Sequence, residues 1–274
     1  MKSSSITKQL TQTLPPRSRL WTPNNLKGVI TWLAPRRLFR LGVGTGFSKW
    51  RDAKGNTEFV QTDASKQPSI TQSKVDFKGL LVPDFDGAND FLADETPTDL
   101  LDVGDGDFYI MAAIKTASTI LPCSIVCLQR EDNTEQINLA FAGGKGGNLL
   151  GLAVSGVGVL GTTTIRSDTT YLVYCERING IINIYLDGSR DNRFPLVDST
   201  SIDNNAASVL GARDTTPAAL FDGKIAEVVI GGSRRKNIIG DKQRQLLEGY
   251  MAHNCGIASV LPSNHPYKKG PPRV

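Results

Sequence analysis

The sequence predicts an all-β protein, a sandwich of two antiparallel sheets with one helix near the C-terminus. Short apolar runs rich in β-branched residues recur between residues 21 and 235, separated by Gly, Asn and Asp. Asn179-Gly180 joins two such runs, and a two-residue Asn-Gly connection favours a β-hairpin because both positions take a positive φ. A convincing helical spacing occurs over about 241–255.

The strands follow from these runs and the turns between them. In the second arm of the Asn179-Gly180 hairpin, Ile182, Ile184 and Leu186 alternate with polar positions, so we expect these three to face a core. The other expected strands are 80–85, 107–116, 120–128, 135–142, 149–154, 157–165, 206–212 and 219–230.

The helix is expected to begin with Asp241 as its N-cap and to end at Gly256. Its apolar stripe, formed by Leu246, Leu247, Tyr250 and Met251, is expected to pack on the edge of the sandwich. Gly249 within this helix predicts a close approach of another element to the helix backbone.

Composition excludes several classes of protein. With 274 residues, 39% hydrophobic and 21% charged, the chain is long and apolar enough for a core and is not disordered, collagenous or coiled-coil. No run of about 18 apolar residues occurs, so we expect no membrane partner. The N-terminus lacks the apolar core of a secretory signal.

Charge divides the chain into an extended N-terminal arm, 1–20, a sandwich domain, 21–260, and a basic tail, 261–274. The two end segments hold seven basic and no acidic residues, which leaves 24 basic against 27 acidic residues between them. We expect the end segments to anchor an anionic partner, although solvated tails have the same composition. No aromatic residues are interleaved for base stacking, so no specific nucleic acid is expected. The expected anchors are Lys2, Lys8, Arg17, Arg19, Lys268, Lys269 and Arg273.

The cysteines predict neither a disulfide nor a zinc site. Cys123 and Cys127 lie four residues apart in an expected strand, about 13 Å apart and beyond disulfide reach. No Cys-x-x-Cys occurs. We expect all four cysteines to be small buried hydrophobes, and reduced thiols fit assembly in a cytoplasm.

Five parts of the chain carry motifs. They are 23–26 (PNNL) with Trp32-Leu33, 50–53 (WRDA) before Gly55-Asn56, 85–92 (FDGANDFL), 221–228 (FDGKIAEV), and 248–253 (EGYMAH) followed by 261–267 (LPSNHPY). Together these motifs resemble the concanavalin A-like lectin/glucanase jelly roll, also called laminin-G-like, in the form common in bacteriophage virion proteins. The resemblance covers about residues 21–268 and departs after His253, where the family usually has Lys-Trp-Gly and this chain has Asn254-Cys255-Gly256.

The resemblance implies structural roles for the motif residues. The Phe of each Phe-Asp-Gly is expected in the core and the Asp-Gly in a turn. An alternative is that Asp84, Asp86 and Asp90 ligate Ca²⁺, and an exposed Trp would provide a platform for sugar. The residues expected to be structural are Trp32, Trp50, Phe85, Asp86, Gly87, Phe221, Asp222, Gly223, Tyr250, His253, His265 and Tyr267.

No catalytic motif is found, so we expect no enzyme and no cofactor. Jelly-roll glucanases use Glu-x-Asp-x-x-Glu, and the nearest stretch, 131–135, is one residue short, which would turn a side chain to the wrong face. Gly-x-Ser-x-Gly is absent, and the Gly-rich stretch 143–147 lacks the Gly-Lys-Ser/Thr of a phosphate loop.

The resemblance and the charge distribution together predict a bacteriophage virion structural protein, most simply a capsid decoration protein that docks on the particle through its arms. Its partners would be the major capsid protein or other virion proteins, with further copies of itself as a homo-oligomer. The alternative is a carbohydrate-binding receptor-recognition module of a tail fibre or spike, whose partner is a host surface glycan.

Overall fold

The computed structural model describes residues 19–274 except 36–37, 39–41, 56, 95–99, 119–121, 130–134, 145–146, 204 and 217. Seventeen strands and one helix form within these residues, and every strand pair is antiparallel. The strands are β1 Val29–Leu33, β2 Lys49–Arg51, β3 Glu58–Val60, β4 Ser69–Ser73, β5 Leu80–Asp86, β6 Leu92–Asp94, β7 Asp107–Thr116, β8 Cys123–Gln129, β9 Glu135–Gly144, β10 Gly147–Val154, β11 Val157–Thr164, β12 Thr170–Ile178, β13 Ile181–Leu186, β14 Ser189–Arg190, β15 Leu196–Val197, β16 Ser208–Leu210 and β17 Asp222–Ser233; the helix, α1, is Asp241–Asn254.

The strands form two sheets, as the sequence predicts. A nine-stranded sheet has the order β14-β13-β12-β7-β17-β5-β4, with β1 added on β17 and β15 added on β13. An eight-stranded sheet has the order β11-β10-β9-β8-β16-β6-β3-β2. The all-β sandwich with a single C-terminal helix is therefore confirmed for the described residues.

The Asn-Gly hairpin forms where the sequence places it. Ile178 pairs with Ile181, and Asn179 and Gly180 between them have φ values of 53° and 74°. Both turn positions are therefore left-handed, which is the geometry that a two-residue hairpin requires. The strands that the sequence did not predict, β1–β4, β6, β14 and β15, have two to five residues each, too few to show a clear alternation.

The nine-stranded sheet is buried on both faces. From β7, Phe108 and Ile110 point into the core between the sheets, where they join Leu139 and Leu152 of the other sheet. Tyr109 on the same strand points to the opposite face and joins a second core under α1. Alternate residues of a strand face opposite sides, so a strand between two cores is apolar throughout.

Helix α1 packs on the outer face of this sheet and not on the sandwich edge, which corrects the expected position of its apolar stripe. Leu247 and Met251 are fully buried against β7, β12 and β17 residues. Gly240 is the N-cap in place of Asp241, which is the first helical residue. The predicted end at Gly256 is correct, because its φ is +77° and the next N–H, of Ile257, donates to Ala252 O at 2.7 Å, as in a Schellman motif.

Tyr267 from the C-terminal segment lies against Gly249 of α1. A Cβ at position 249 would stand 2.4 Å from the Tyr267 Cβ, so only glycine fits. The close approach predicted from this glycine is confirmed. Within the described part of the chain, no helix is long and apolar enough to cross a membrane.

Candidate functional site

A groove of about 400 Å³ crosses the outer face of the eight-stranded sheet over β8 to β11, within the size range of small-ligand sites. Its sides include Arg213 and Ala219 from the 211–221 loop, which connects β16 to β17. Its floor consists of outward-facing strand residues: Asn138, Ala140, Gly151, Ala153, Gly158 and Leu160.

The side chains on the groove floor are short, because small residues pair with each other across its strands. Ala140 is opposite Gly151, and Ala153 is opposite Gly158. The large neighbours Leu139 and Leu152 point inward to the core. A ligand in the groove therefore approaches the strand backbone directly at the exposed Gly158, whereas the Leu160 side chain lies over Gly151.

Ser124 places an unsatisfied hydroxyl beside this floor. Ser124 is fully buried, and its Oγ has no hydrogen-bond partner among the described residues. Its backbone N–H donates to Ala219 O at 2.7 Å, which ties β8 to the 211–221 loop. A buried hydroxyl without a partner costs about 1–3 kcal/mol, and a ligand in the groove does not reach this one because the Ser124 Oγ is enclosed by protein.

A second, polar pocket of about 490 Å³ lies where β4, β5 and β17 meet. Asp84, Asp86, Asp90 and Asp222 line it. Asp86 Oδ1 accepts the backbone N–H groups of Ala88, Asn89 and Asp90 at 2.8, 3.1 and 3.3 Å. The Asp86-Gly87 pair thus forms the expected turn, with Gly87 at φ +68°.

The carboxyls of this polar pocket differ in pKa. Burial raises the pKa of Asp90 to about 6 and also raises those of Asp84 and Asp222. Although burial opposes it, the three backbone N–H groups hold the Asp86 pKa below its usual value. Within the described ranges, no three His, Cys, Asp or Glu side chains are arranged to hold a metal ion.

The acidic stretch 102–107 serves the fold. Asp107 is fully buried and accepts the N–H groups of Asn179 at 2.8 Å and Ile238 at 3.3 Å. Two other aspartates of the stretch form ion pairs, the half-buried Asp102 with Arg234 and the exposed Asp105 with Lys236.

Three buried carboxylates lie beneath or within α1. Glu227 accepts hydrogen bonds from Trp32 Nε1 at 2.6 Å and Asn254 Nδ2 at 2.7 Å. Glu248 contacts Arg244 at 2.5 Å and His265 at 3.1 Å. The third, Glu176, accepts the Tyr174 hydroxyl at 2.8 Å, and burial raises its pKa as it does that of Glu227. These groups are enclosed by protein and have no access for a substrate.

The other motif residues are also internal. His253 Nε2 lies 2.8 Å from Tyr267 O, and the Tyr267 N–H donates to His265 Nδ1 at 3.2 Å. Trp21, Trp32 and Trp50 are all buried, which excludes the tryptophan platform for sugar. Phe85 and Phe221 are buried in the core between the sheets with ring centroids 6.4 Å apart, as expected. The expected turn at Asp222-Gly223 is wrong, because both residues begin β17, where they pair with Asp86 and Phe85 of β5.

All four cysteines are buried, as expected, and none forms a disulfide. Cys255, where the family has Trp, packs in the core under α1, and its thiol donates to Glu227 Oε2 at 3.4 Å. Burial raises the thiol pKa of Cys123 to about 11.

The described basic anchors lie around the paired chain ends. Leu20 and Arg273 form an isolated antiparallel β-bridge, and Val274 N–H donates to Arg19 O at 2.9 Å. Lys269 is exposed, whereas Lys268 Nζ donates to Ser259 O at 2.8 Å and Leu261 O at 2.5 Å. Lys2, Lys8 and Arg17 lie outside the described residues. So do residues 131–134 of the stretch 131–135, which was compared with the glucanase motif.

Sequence reasoning missed the groove residues, Ser124, Asn138 and Arg213. The expected strands 135–142 and 149–154 correspond to β9 and β10, but no role was predicted for their outward-facing residues. The available signal was the run of small residues at alternate positions, Ala140 and Ala142 on one strand and Gly151 and Ala153 on the next.

No family model and no curated protein matches this sequence. Among solved structures, domain 4 of the arabinanase AbnA from Geobacillus stearothermophilus, in complex with arabinotriose, is similar over 79% of this chain and 96% of that domain, with a TM-score of 0.50 and 14% identity. A Trypanosoma rangeli sialidase in complex with sialic acid is similar over 84% of this chain, with a TM-score of 0.55 and 10% identity. This chain spans 35% of that sialidase chain. These similarities define the fold of the chain as a β-sandwich of two antiparallel sheets.

The comparisons contradict the expectation that the chain is not an enzyme. That expectation rested on the missing glucanase motif, yet solved structures with this fold include a domain of a GH43 arabinanase and part of a sialidase. The absence of one motif therefore does not separate this chain from glycan-cleaving proteins.

Proposed function

We propose that this chain is a glycan-binding β-sandwich domain whose ligand lies in the groove on the outer face of the eight-stranded sheet. The observation that carries the proposal is an open groove of about 400 Å³ whose floor of glycine and alanine leaves Gly158 exposed beside the exposed side chain of Leu160. Such a site offers a pyranose or furanose ring a flat surface, with Arg213 at its side as a hydrogen-bond donor for a sugar hydroxyl.

The domain-length similarity supports the same proposal. The arabinanase domain, matched along almost its whole length, is in complex with arabinotriose, whereas only about a third of the sialidase chain is matched. A sugar-binding role is therefore proposed for a unit of this size rather than for a larger assembly of domains.

The groove predicts modest affinity. Phe141 borders it but is only 1% exposed, so its ring gives no stacking surface. Binding then depends on hydrogen bonds and on contact with Leu160, and we expect dissociation constants on the order of 0.1–1 mM for an oligosaccharide.

A glycan array followed by calorimetric titration tests the proposal. Gly158→Phe places a ring over the groove floor, at a position where a Cβ has room because its nearest neighbour, Leu152 O, would be 3.5 Å away. Val157→Phe on the same strand is the matched control, because Val157 is exposed and does not line the groove. We expect binding to be lost in Gly158→Phe and kept in Val157→Phe. Equal binding by both variants, or no binding by the parent protein, contradicts the proposal.

A second proposal is that the domain is carried on a phage particle. The contact between residues 19–20 and 273–274 favours it, because the Leu20–Arg273 bridge brings Arg19 and Arg273, two of the expected anchors, to one place. Residues 21–260, by contrast, have a net acidic composition. Cosedimentation with expanded capsids tests this proposal: deletion of residues 1–18 should abolish binding, and unchanged binding would contradict it.

A further inference from the structure

The groove carries one charged side chain among its described lining residues, the guanidinium of Arg213. Resting on the glycan-binding function proposed above, we propose that the natural ligand is an acidic glycan whose carboxylate, such as that of a uronic acid, is bound by Arg213.

The backbone at Arg213 is fixed relative to the groove floor. Its N–H donates to Ala218 O at 2.8 Å, which closes the loop, and Gly211 N–H donates to Ile125 O of β8 at 3.1 Å. Phe221 N–H in turn donates to Gly211 O at 2.8 Å. The guanidinium is therefore presented from a rigid base beside Ser124, which is hydrogen-bonded to the same loop.

The side chain of Arg213 is only partly engaged. Its Nε lies 3.4 Å from Asp214 Oδ2, a long contact, and the side chain remains 44% exposed. Asp214 also accepts the Thr216 hydroxyl at 3.1 Å. Within the described chain the two terminal nitrogens of Arg213 have no hydrogen-bond partner, and these are the donors that form paired hydrogen bonds with a carboxylate.

The two pockets differ in the charge that they accept. The polar pocket has four aspartates and would repel a carboxylate, whereas the described lining of the groove has one arginine and otherwise neutral residues, with Asp214 beside that arginine as its only ion-pair partner among the described residues. Of the two pockets, the groove is therefore the one that suits an acidic glycan.

Matched ligand pairs test the inference by calorimetry at low salt. The pairs are oligogalacturonate and its methyl ester, a hyaluronan tetrasaccharide and its carboxyl-reduced form, and sialyllactose and lactose. We expect the acidic member of at least one pair to bind about 5–20 times more tightly than its neutral partner. Arg213→Gln should remove that difference, and Asp214→Asn, which removes the competing carboxylate, should increase it.

Arg235→Gln, at an exposed position outside the groove, has the same change in net charge and should leave the preference unchanged. Binding without an acidic preference in any of the three pairs, or an acidic preference that survives in Arg213→Gln, overturns this inference while glycan binding stands. If no ligand of the three pairs binds, the inference is also overturned. The glycan array then tests the proposed glycan binding separately.

Discussion

Glu227 accepts the indole N–H of Trp32 at 2.6 Å, although the two residues are 195 positions apart in the sequence. Glu227 is on β17 and Trp32 is on β1, which pair in the nine-stranded sheet under α1. Trp32 also makes an edge contact with Tyr250 of the helix, with ring centroids 5.9 Å apart. One buried carboxylate therefore connects two strands and the helix that covers them.

Loss of the Trp32 donor should destabilise the fold. Trp32→Phe keeps the apolar ring but removes the hydrogen bond to a buried carboxylate, and we expect the free energy of unfolding to fall by about 1.5–3 kcal/mol. Trp21→Phe is the matched control, because Trp21 is buried at the same helix and packs on Tyr250 without that bond. Urea denaturation of both variants measures the difference; equal losses would contradict the role given to Glu227.

Arg177 should be among the least replaceable residues. Its side chain is fully buried, and its guanidinium donates to Gly106 O, Gly104 O, Thr200 O and Asp198 Oδ2 at 2.6–3.0 Å. Arg177→Met leaves those acceptors and one carboxylate without a partner, so we expect a loss of about 3–5 kcal/mol.

The exposed Arg51→Met provides the comparison for Arg177→Met. Arg51 forms a surface ion pair with Glu58, and its removal should change stability by less than about 1 kcal/mol. Thermal unfolding of the two variants gives the measurement. A similar, small change for both would show that the buried arginine is not what holds the 104–106 loop to β12.

Stability should fall as pH rises from about 4 to 7 because of Asp187. Burial raises the pKa of this carboxyl to about 7, although Leu172 N–H donates to it at 2.8 Å. A folded-state pKa above the unfolded value means that the folded state holds its proton longer, so the contribution to stability is present at low pH and is lost through this range.

Asp187→Asn should flatten that pH dependence and stabilise the protein at pH 8 by about 1–2 kcal/mol, allowing for the partial exposure of the group. Asparagine also suits the left-handed φ of 54° and keeps an acceptor for Leu172. Asp168 is at another left-handed position (φ 52°) and its side chain is 83% exposed. Asp168→Asn therefore controls for any stabilisation that comes from placing asparagine at a left-handed backbone position. Parallel pH profiles for wild type and Asp187→Asn would contradict the expectation.

The sequence predicted those features that depend on near neighbours. Asn179-Gly180 sets its own hairpin, Gly256 ends α1, and Gly249 indicates a close approach whose partner, Tyr267, is only eighteen residues away. Short strands such as β2 and β6 depend instead on their partners in the sheet, and their own three residues carry no recognisable alternation.

The groove could not be predicted in the same way. Ser124 and Arg213 are 89 positions apart and line the same groove because β8 and the 211–221 loop are hydrogen-bonded through Ala219. Likewise, Tyr109 and Glu227 are buried because α1 covers the outer face of the nine-stranded sheet, whereas the sequence placed that helix at the edge. Which outward face is covered and which stays open is decided by tertiary packing.

Chemical-shift mapping of the ¹⁵N-labelled full chain with an oligosaccharide selected from the array tests the central claim most directly. We predict saturable shifts at the amides of 138–142, 151–153, 158–160 and 213, with those of 84–90 unmoved. Shifts confined to the aspartate-lined pocket at 84–90, or shifts that leave the groove amides unmoved, would contradict the account.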